Sequence, residues 1–370
     1  MVHDVWVEVD LSALKHNLGQ VRSRLTNPHT KVLAVVKANG YGHGLAEPSR
    51  ALVEAGADML GVTRIEEALA IRSAGIEAPL LVFAPIQPEN AEEAVRAGLD
   101  LTVTSMPSAV AISAAAAKLN RSARIHVKVD TGMGRLGLFP EDVPPFLEQI
   151  KPWEFLQVAG IYTHFANAAE ADLRSTIRQL ERFRQLLDDL RAVGIDYGLA
   201  HAANSAAILR LPQSALDLVR PGTLLYGQYP SSHVPRVLDL KPTWRLKARV
   251  CEVREFQAGS PIGYGSEYTT RGCTRTAVLP VGFADGFTLV PEGPVYRQGV
   301  IGFAARRLRR APAVEIRGRR APVLGRVATQ TTVVDVTQID GAKVGDEAVI
   351  PALRIPTSAM IARVYAGSSA

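Results

Sequence analysis

A lysine at the end of an apolar run is the first residue in the chain equipped for chemistry. In "VLAVVKANGYGHG", residues 32–44, Lys37 closes the run, and a glycine-rich turn carrying Tyr41 and His43 follows. Burial beside other cations lowers the pKa of an ammonium. The neutral amine that results is a nucleophile toward a carbonyl. More polar groups stand at the ends of later runs. "KVDTGMGRLG" supplies Lys128, Asp130 and Arg135, and "YTHFA" supplies His164. "HAANSAA" supplies His201, Asn204 and Ser205; "VRPGTLLYG" supplies Arg220, Gly222, Thr223 and Tyr226. Gly222-Thr223 and Asn204-Ser205 can offer N–H groups and hydroxyls to a phosphate. An amine facing a phosphate cradle points to pyridoxal 5'-phosphate as cofactor. Taken singly, each residue has a plainer structural use; the chemical reading rests on their convergence at one face.

The elements that must position these residues repeat. Apolar or β-branched runs occur at 32–36, 59–63, 80–84, 99–104, 124–129, 158–164, 197–201 and 216–220. Helical patterns lie between them. The clearest has Leu173, Ile177, Leu180, Phe183, Leu187 and Leu190 at helical spacing, with Gly194 placed to end it. Gly56, Gly75 and Gly98 stand at similar helix ends. Eight strand–helix units over this length predict an α/β fold, an N-terminal (β/α)8 TIM-like barrel over residues 11–235. The rival, an open doubly wound sheet, usually carries a glycine fingerprint after its first strand; "KANGYGHG" lacks that spacing. From about residue 236 to 370, short alternating runs such as "LKARVCEVREF" and "TTVVDVT" predict a C-terminal mostly β domain. The strand "VWVEVD", residues 5–10, has no place among the eight units and is expected to pair with that second domain.

The bulk properties exclude several classes. The chain has 370 residues, 47% of them apolar, and a formal charge of +6. Two cysteines, Cys251 and Cys273, make no disulfide framework. No basic-then-apolar leader and no run of about 20 apolar residues is present, so a cytoplasmic protein with no membrane partner is expected. Nine arginines crowd residues 297–326, with Phe303 the only aromatic. The segment reads as the solvated surface of a basic protein, not a nucleic-acid site. No metal site is expected.

"AVVKANGYGHG" with "KVDTGMGRLG", and then "THFA", "ANSAA", "RPGTLLYG" and "IGYGSEY", closely resembles the alanine racemases, fold-type III pyridoxal phosphate enzymes. The resemblance runs over nearly the whole chain. It implies that Lys37 holds the cofactor covalently and acts as one catalytic base, with Tyr264 the other base from the opposite face. It implies that Arg220 donates to the pyridine nitrogen and that Tyr41, Ser205, Gly222 and Thr223 hold the phosphate, beside Asn204. His164 would bond the catalytic tyrosine. Arg135 and Thr329 would meet the substrate carboxylate, and Lys128 matches a lysine that some members carbamylate. It further implies a homodimer whose active sites are shared between subunits, and D-alanine made for peptidoglycan.

The chain also departs from the family. Thr329-Gln330 replaces a common Met-Asp, Ala359 stands where a phosphate-binding tyrosine is usual, and Phe283 replaces a common tyrosine. These changes predict weaker cofactor retention and tolerance of side chains larger than methyl. Racemisation of other amino acids (serine, lysine, ornithine) is therefore the alternative activity. A fold-type III decarboxylase is disfavoured, because the glycine-triplet phosphate loop is absent. A single-domain cofactor carrier is disfavoured by residues 236–370.

Overall fold

The computed structural model describes residues 2–289 and 312–367. The chain forms two compact units. One runs over Asp10–Thr243, joined by Gly367; the other takes the chain up to Val9 and Trp244–Ala366.

Counting from β1 (Val5–Asp10), the first unit holds eight parallel strands: β2 (Lys31–Val35), β3 (Met59–Val62), β4 (Leu80–Val82), β5 (Asp100–Val103), β6 (Ala123–Lys128), β7 (Leu156–Tyr162), β8 (Leu199–His201) and β9 (Leu218–Val219). Each of the eight apolar runs is a strand, and each strand pairs with its predecessor from β3 through β8. β9 pairs with β2 at Lys31↔Leu218. Between β8 and β9 the seam is drawn together by a bridge at Asn204↔Arg220 and by the Arg220 N–H to Ala203 O bond of 2.8 Å. The result is a nearly closed (β/α)8 barrel. Its strands are buried on both faces, which is why they read as continuous apolar runs and not as alternation.

The helices close as their sequences require. Asp10 caps Leu11–Arg22 by accepting from the Ala13 N–H at 2.8 Å. Leu11, Leu14, Leu18 and Val21 fill the buried side of that helix. Helix Arg174–Ala192 buries Leu180, Phe183, Leu187 and Leu190. Gly194 follows it in the left-handed region, φ 71°, where a side chain would be strained.

The second unit is mostly β. A six-stranded sheet runs in the order Arg319–Pro322, Ala313–Ile316, Glu347–Ile350, Trp244–Arg249, β1, Ala362–Ala366. β1 therefore pairs with the C-terminal chain, antiparallel to Trp244–Arg249 from Val5↔Ala248 to Val9↔Trp244. Glu252–Phe256, Thr274–Leu279 and Thr332–Asp335 form a three-stranded sheet. Pro261–Ile262 and Tyr268–Thr269 form a hairpin. Part of the arginine-rich stretch, residues 297–311, lies outside the described residues. Of the rest, Arg326 pairs with Glu267, Arg317 with Asp346, and Arg319 donates to Gln338 O. No helix among the described residues is long and apolar enough to cross a membrane.

Candidate active site

The barrel unit contains a cavity of about 490 Å³, lined among others by Lys37, Tyr41, Lys128, Arg135, His164, Asn204, Ser205, Arg220, Gly222 and Thr223. Ten residues expected from strand ends thus meet at one place. Lys37, Lys128, Arg135 and Arg220 bring four basic side chains, and among the described residues no carboxylate lines the wall. Such a field selects an anion.

β2 ends two residues before Lys37, and the chain then coils the wrong way. Ala38 and Asn39 both sit at φ 54°, ψ 51°, and Gly40 at φ 59°, ψ 41°; Tyr41 follows at φ 51°. Left-handed backbone costs an L-residue about 1–2 kcal/mol, so this turn is strained at three non-glycine positions. It is held by bonds from Gly40 N–H to Val36 O and from Gly42 N–H to Ala38 O, and by the Asn39 N–H to Glu67 Oε1 bond of 3.1 Å. Strain retained beside a cavity is a functional signature. It brings Lys37 and Tyr41 to the same wall. Burial holds the Lys37 amine below its ordinary pKa; nearby Arg135 adds to the effect and Glu67 opposes it. His43, also after this strand, is turned away into the core, where Nε2 lies 2.7 Å from Thr243 Oγ1.

Beside this turn, the phosphate-type groups are built from the ends of β8 and β9, β9 being paired with β2. The Ser205 hydroxyl accepts from the Gly222 N–H at 2.8 Å, which leaves its own proton to donate. A Cβ on Gly222 would lie 2.5 Å from Tyr41 Oη, so only glycine lets the phenol reach this corner. Thr223 Oγ1 is buried with no hydrogen-bond partner. A buried hydroxyl left unpaired is costly, and an anion in the cavity would satisfy it. Asn204 lines the cavity as well, but its Oδ1 already caps helix Ser205–Arg210, accepting from Ala206 and Ala207 N–H at 3.1 Å each.

Arg220 is 4% exposed. Its Nη1 bonds His201 Nδ1 at 2.9 Å, and its Nη2 donates to Thr163 O at 2.7 Å and Ala202 O at 3.1 Å. Burial lowers its pKa to about 10, so it stays charged near neutrality. Lys128, also 4% exposed, donates to Val129 O at 2.7 Å. Burial first, then Arg220 and Arg135, bring its pKa down to about 7. His164 is held to about 3 by burial and by the four surrounding cations, and is neutral. Tyr162 lies between Lys128 and Arg220, whose charged groups sit 5.3 Å and 5.2 Å from its ring centroid. Its hydroxyl, 2.9 Å from Thr102 Oγ1, is pushed up to about 12 by burial.

Arg135 is carried by a loop wrapped around one carboxylate. Asp130 Oδ1 accepts from Gly132, Met133 and Gly134 N–H at 2.9, 2.7 and 3.2 Å; Oδ2 accepts from Gly134 and Arg135 N–H at 2.9 and 3.1 Å. Burial acts to raise the Asp130 pKa, but these bonds outweigh it and hold the carboxyl below its ordinary value.

The remaining expected residues belong to the other unit. Tyr264 opens a short turn within the hairpin and is 71% exposed. Thr329 O accepts from Ala284 N–H at 3.0 Å, which places Thr329 beside Phe283 on one surface. Ala359 is exposed in a turn. Tyr162 and Phe83, both cavity-lining, were not singled out by sequence. Each sits in or just after an apolar run, where an aromatic reads as core. Among the described residues no cluster of His, Cys, Asp and Glu is placed to hold a metal.

Known proteins share this architecture. The family model "Alanine racemase, N-terminal domain" matches residues 9–230, and "Alanine racemase, C-terminal domain" matches residues 243–364. A protein of Methanococcus maripaludis named alanine racemase is 42% identical over 346 residues, 93% of this chain and 88% of that one. The solved alanine racemase of Clostridium difficile 630 superposes with a TM-score of 0.90 at 31% identity, covering 100% of this chain and 97% of that one. The alanine racemase of Streptomyces lavendulae, a D-cycloserine producer, gives a TM-score of 0.84 at 33% identity, over 100% and 98% of the two chains. This chain belongs to the alanine racemase family.

Proposed function

We propose that the chain interconverts L- and D-alanine with pyridoxal 5'-phosphate, using Lys37 and Tyr264 as the two bases. The observation that carries this reading is the cavity wall: a neutralisable amine at Lys37, three further cations, an unpaired Thr223 hydroxyl and, among the described residues, no acid. The relatives' names favour alanine over a broader set of amino acids.

The residues present fit the cofactor. Ser205, Thr223 and Tyr41 would hold its phosphate, and the Gly222 N–H would join them on release from Ser205 Oγ. Lys37 would bond its aldehyde carbon. Arg220 has three of its five N–H donors engaged, which leaves Nε–H and one Nη1–H to meet the ring nitrogen. Bound there, the cofactor supplies an electron-withdrawing ring that acidifies the substrate's Cα–H. Once displaced from the aldehyde carbon by the substrate's amine, Lys37 Nζ would take or return that proton on one face, and Tyr264 Oη would act on the other. Arg135, with Thr329, orients the substrate carboxylate. His164 is neutral, so it serves Tyr264 as a hydrogen-bond partner and not as a counter-charge.

Tyr264 is exposed on its own unit, which suits a site completed across a homodimer. Lys128 is poised for carbamylation: at about pKa 7 its free amine can attack CO2, forming an N–C bond and releasing one proton. The carbamate would set a negative charge among Arg135, Arg220 and Lys37. Carbon-13 NMR in labelled bicarbonate would show a carbamate signal that disappears in Lys128→Arg. D-alanine made here would serve peptidoglycan synthesis.

The deciding experiment loads the protein with pyridoxal 5'-phosphate, reduces it with borohydride and maps the labelled peptide. A second sample converts L-alanine in heavy water. Label at Lys37 and D-alanine carrying solvent deuterium at Cα are expected. Label elsewhere, or a decarboxylated product, would defeat the reading.

A further inference from the structure

Behind Arg220 lies a file of buried polar side chains that the proposed chemistry does not use. Arg220 Nη1 meets His201 Nδ1 at 2.9 Å; His201 Nε2 meets His126 Nδ1 at 2.9 Å; His126 Nε2 meets Asp100 Oδ2 at 3.1 Å. Asp100 also takes Arg124 Nε on its other oxygen at 2.9 Å. His126 and His201 are fully buried, and Asp100 is 2% exposed. The four contributing positions come from β5, β6, β8 and the residue that follows β9, so the file crosses the barrel interior.

The crossing is built into the strands. β7 lies between β6 and β8, and its Gly160 is registered against His126 on one side and Leu199 on the other. A Cβ at position 160 would stand 2.5 Å from His126 Nδ1 and 2.7 Å from Leu199 O. Glycine there is what lets the two imidazoles meet across an intervening strand. The β6–β7 register also shifts between Ile125 and His126.

Hydrogen-bond bookkeeping fixes every proton in the file. A guanidinium only donates, so His201 Nδ1 must accept. A neutral His201 then carries its proton on Nε2 and donates to His126 Nδ1. His126, accepting at Nδ1, carries its own proton on Nε2 and donates to Asp100. Both rings are neutral, and each bond points from Arg220 toward the carboxylate. The order cannot be reversed without making an imidazolate.

We propose that His126 and Asp100 are positioning residues which, through His201, hold the Arg220 guanidinium in a single orientation at the cavity. This rests on the reading of Arg220 as the donor to the cofactor ring. The buried carboxylate polarises both rings toward Arg220 and so strengthens the bond on Nη1. The file does not touch Arg135, so it leaves substrate carboxylate binding alone.

The test uses the full chain labelled with nitrogen-15 in its histidines, with and without pyridoxal 5'-phosphate. In the parent protein, His201 and His126 should each show an unprotonated Nδ1 and a protonated Nε2. Gly160→Ala and His126→Phe should each take the acceptor from the His201 Nε2–H and shift that nitrogen's resonance, while Nδ1 stays unprotonated as long as Arg220 donates to it. With cofactor, both should lower kcat for alanine about tenfold while KM changes by less than about twofold. His126→Gln presents an acceptor to His201 and a donor to Asp100, and should keep kcat within about threefold of the parent. A protonated His201 Nδ1, a doubly protonated ring at either position, or parental kcat in both His126→Phe and Gly160→Ala would overturn the proposal. Should either variant fail to fold, the parent spectrum and His126→Gln still decide. If the protein racemises nothing, the functional reading fails while the nitrogen spectra judge the file independently.

Discussion

The barrel mouth and the surface of the second unit meet their polar groups in opposite ways. In the barrel, Arg220, Lys128 and Asp130 are buried and fixed by named bonds within the same unit. On the second unit, Tyr264 is 71%, Phe283 47% and Met360 96% exposed. One region is organised before anything binds. The other presents large apolar or amphipathic side chains to solvent. The difference marks where the chain departs from the family pattern: Phe283, Thr329 and Ala359 all lie exposed on the second unit.

Four experiments press on that contrast. The largest effect is expected from disabling both bases. Lys37→Ala should cost at least about 10³-fold in kcat, and Tyr264→Phe about 10²–10⁴-fold. If the second unit completes a partner's site, mixing the two dead variants restores activity, because one site in each mixed dimer has both bases. No recovery on mixing would place Tyr264 with its own barrel. Next comes Asp130→Ala, which frees the four N–H groups that shape the Arg135 loop. KM for alanine should rise about tenfold or more, each lost charge-assisted bond being worth about 1.5–3 kcal/mol; an unchanged KM would mean the loop holds itself. Gly222→Ala pushes a methyl against Tyr41 Oη and should weaken cofactor retention about tenfold, near 1.4 kcal/mol, on dialysis. The smallest effect is on acid stability. The unfolded chain takes up a proton at His164 near pH 6.5, whereas the folded chain resists until about pH 3. Burial and Arg220 depress His201 in the same direction. The unfolded state binds more protons in that window, so the urea midpoint should fall as pH drops below about 6.5. His164→Gln should flatten part of that slope.

Much of the barrel was legible because parallel strands buried on both faces leave long apolar runs, and all eight runs became strands. The polar ends were legible for the same reason: Lys37, Lys128, His164 and Arg220 interrupt or terminate such runs. What stayed hidden was polar chemistry inside them. Asp100 in "LDLTVT" and His126 in "RIHVKV" look like defects in a strand until the fold brings them together around Gly160. The handedness after Lys37 was only partly readable: Asn39-Gly40 is a left-handed turn signal, but Ala38 and Tyr41 have no preference for that region. The exposed region was the least legible. Tyr264 is named by its motif, but a short turn that leaves it 71% exposed gives its surroundings no periodicity to read.

The coil after Lys37 carries one more implication. Its Ala38 torsions, φ 54° and ψ 51°, are those a mirror-image residue prefers. A chain assembled by chemical ligation with D-alanine at 38 would relax there, where the natural enantiomer is compressed. In a protein read as a converter of alanine's two hands, the peptide backbone beside the reactive amine already favours the unnatural one.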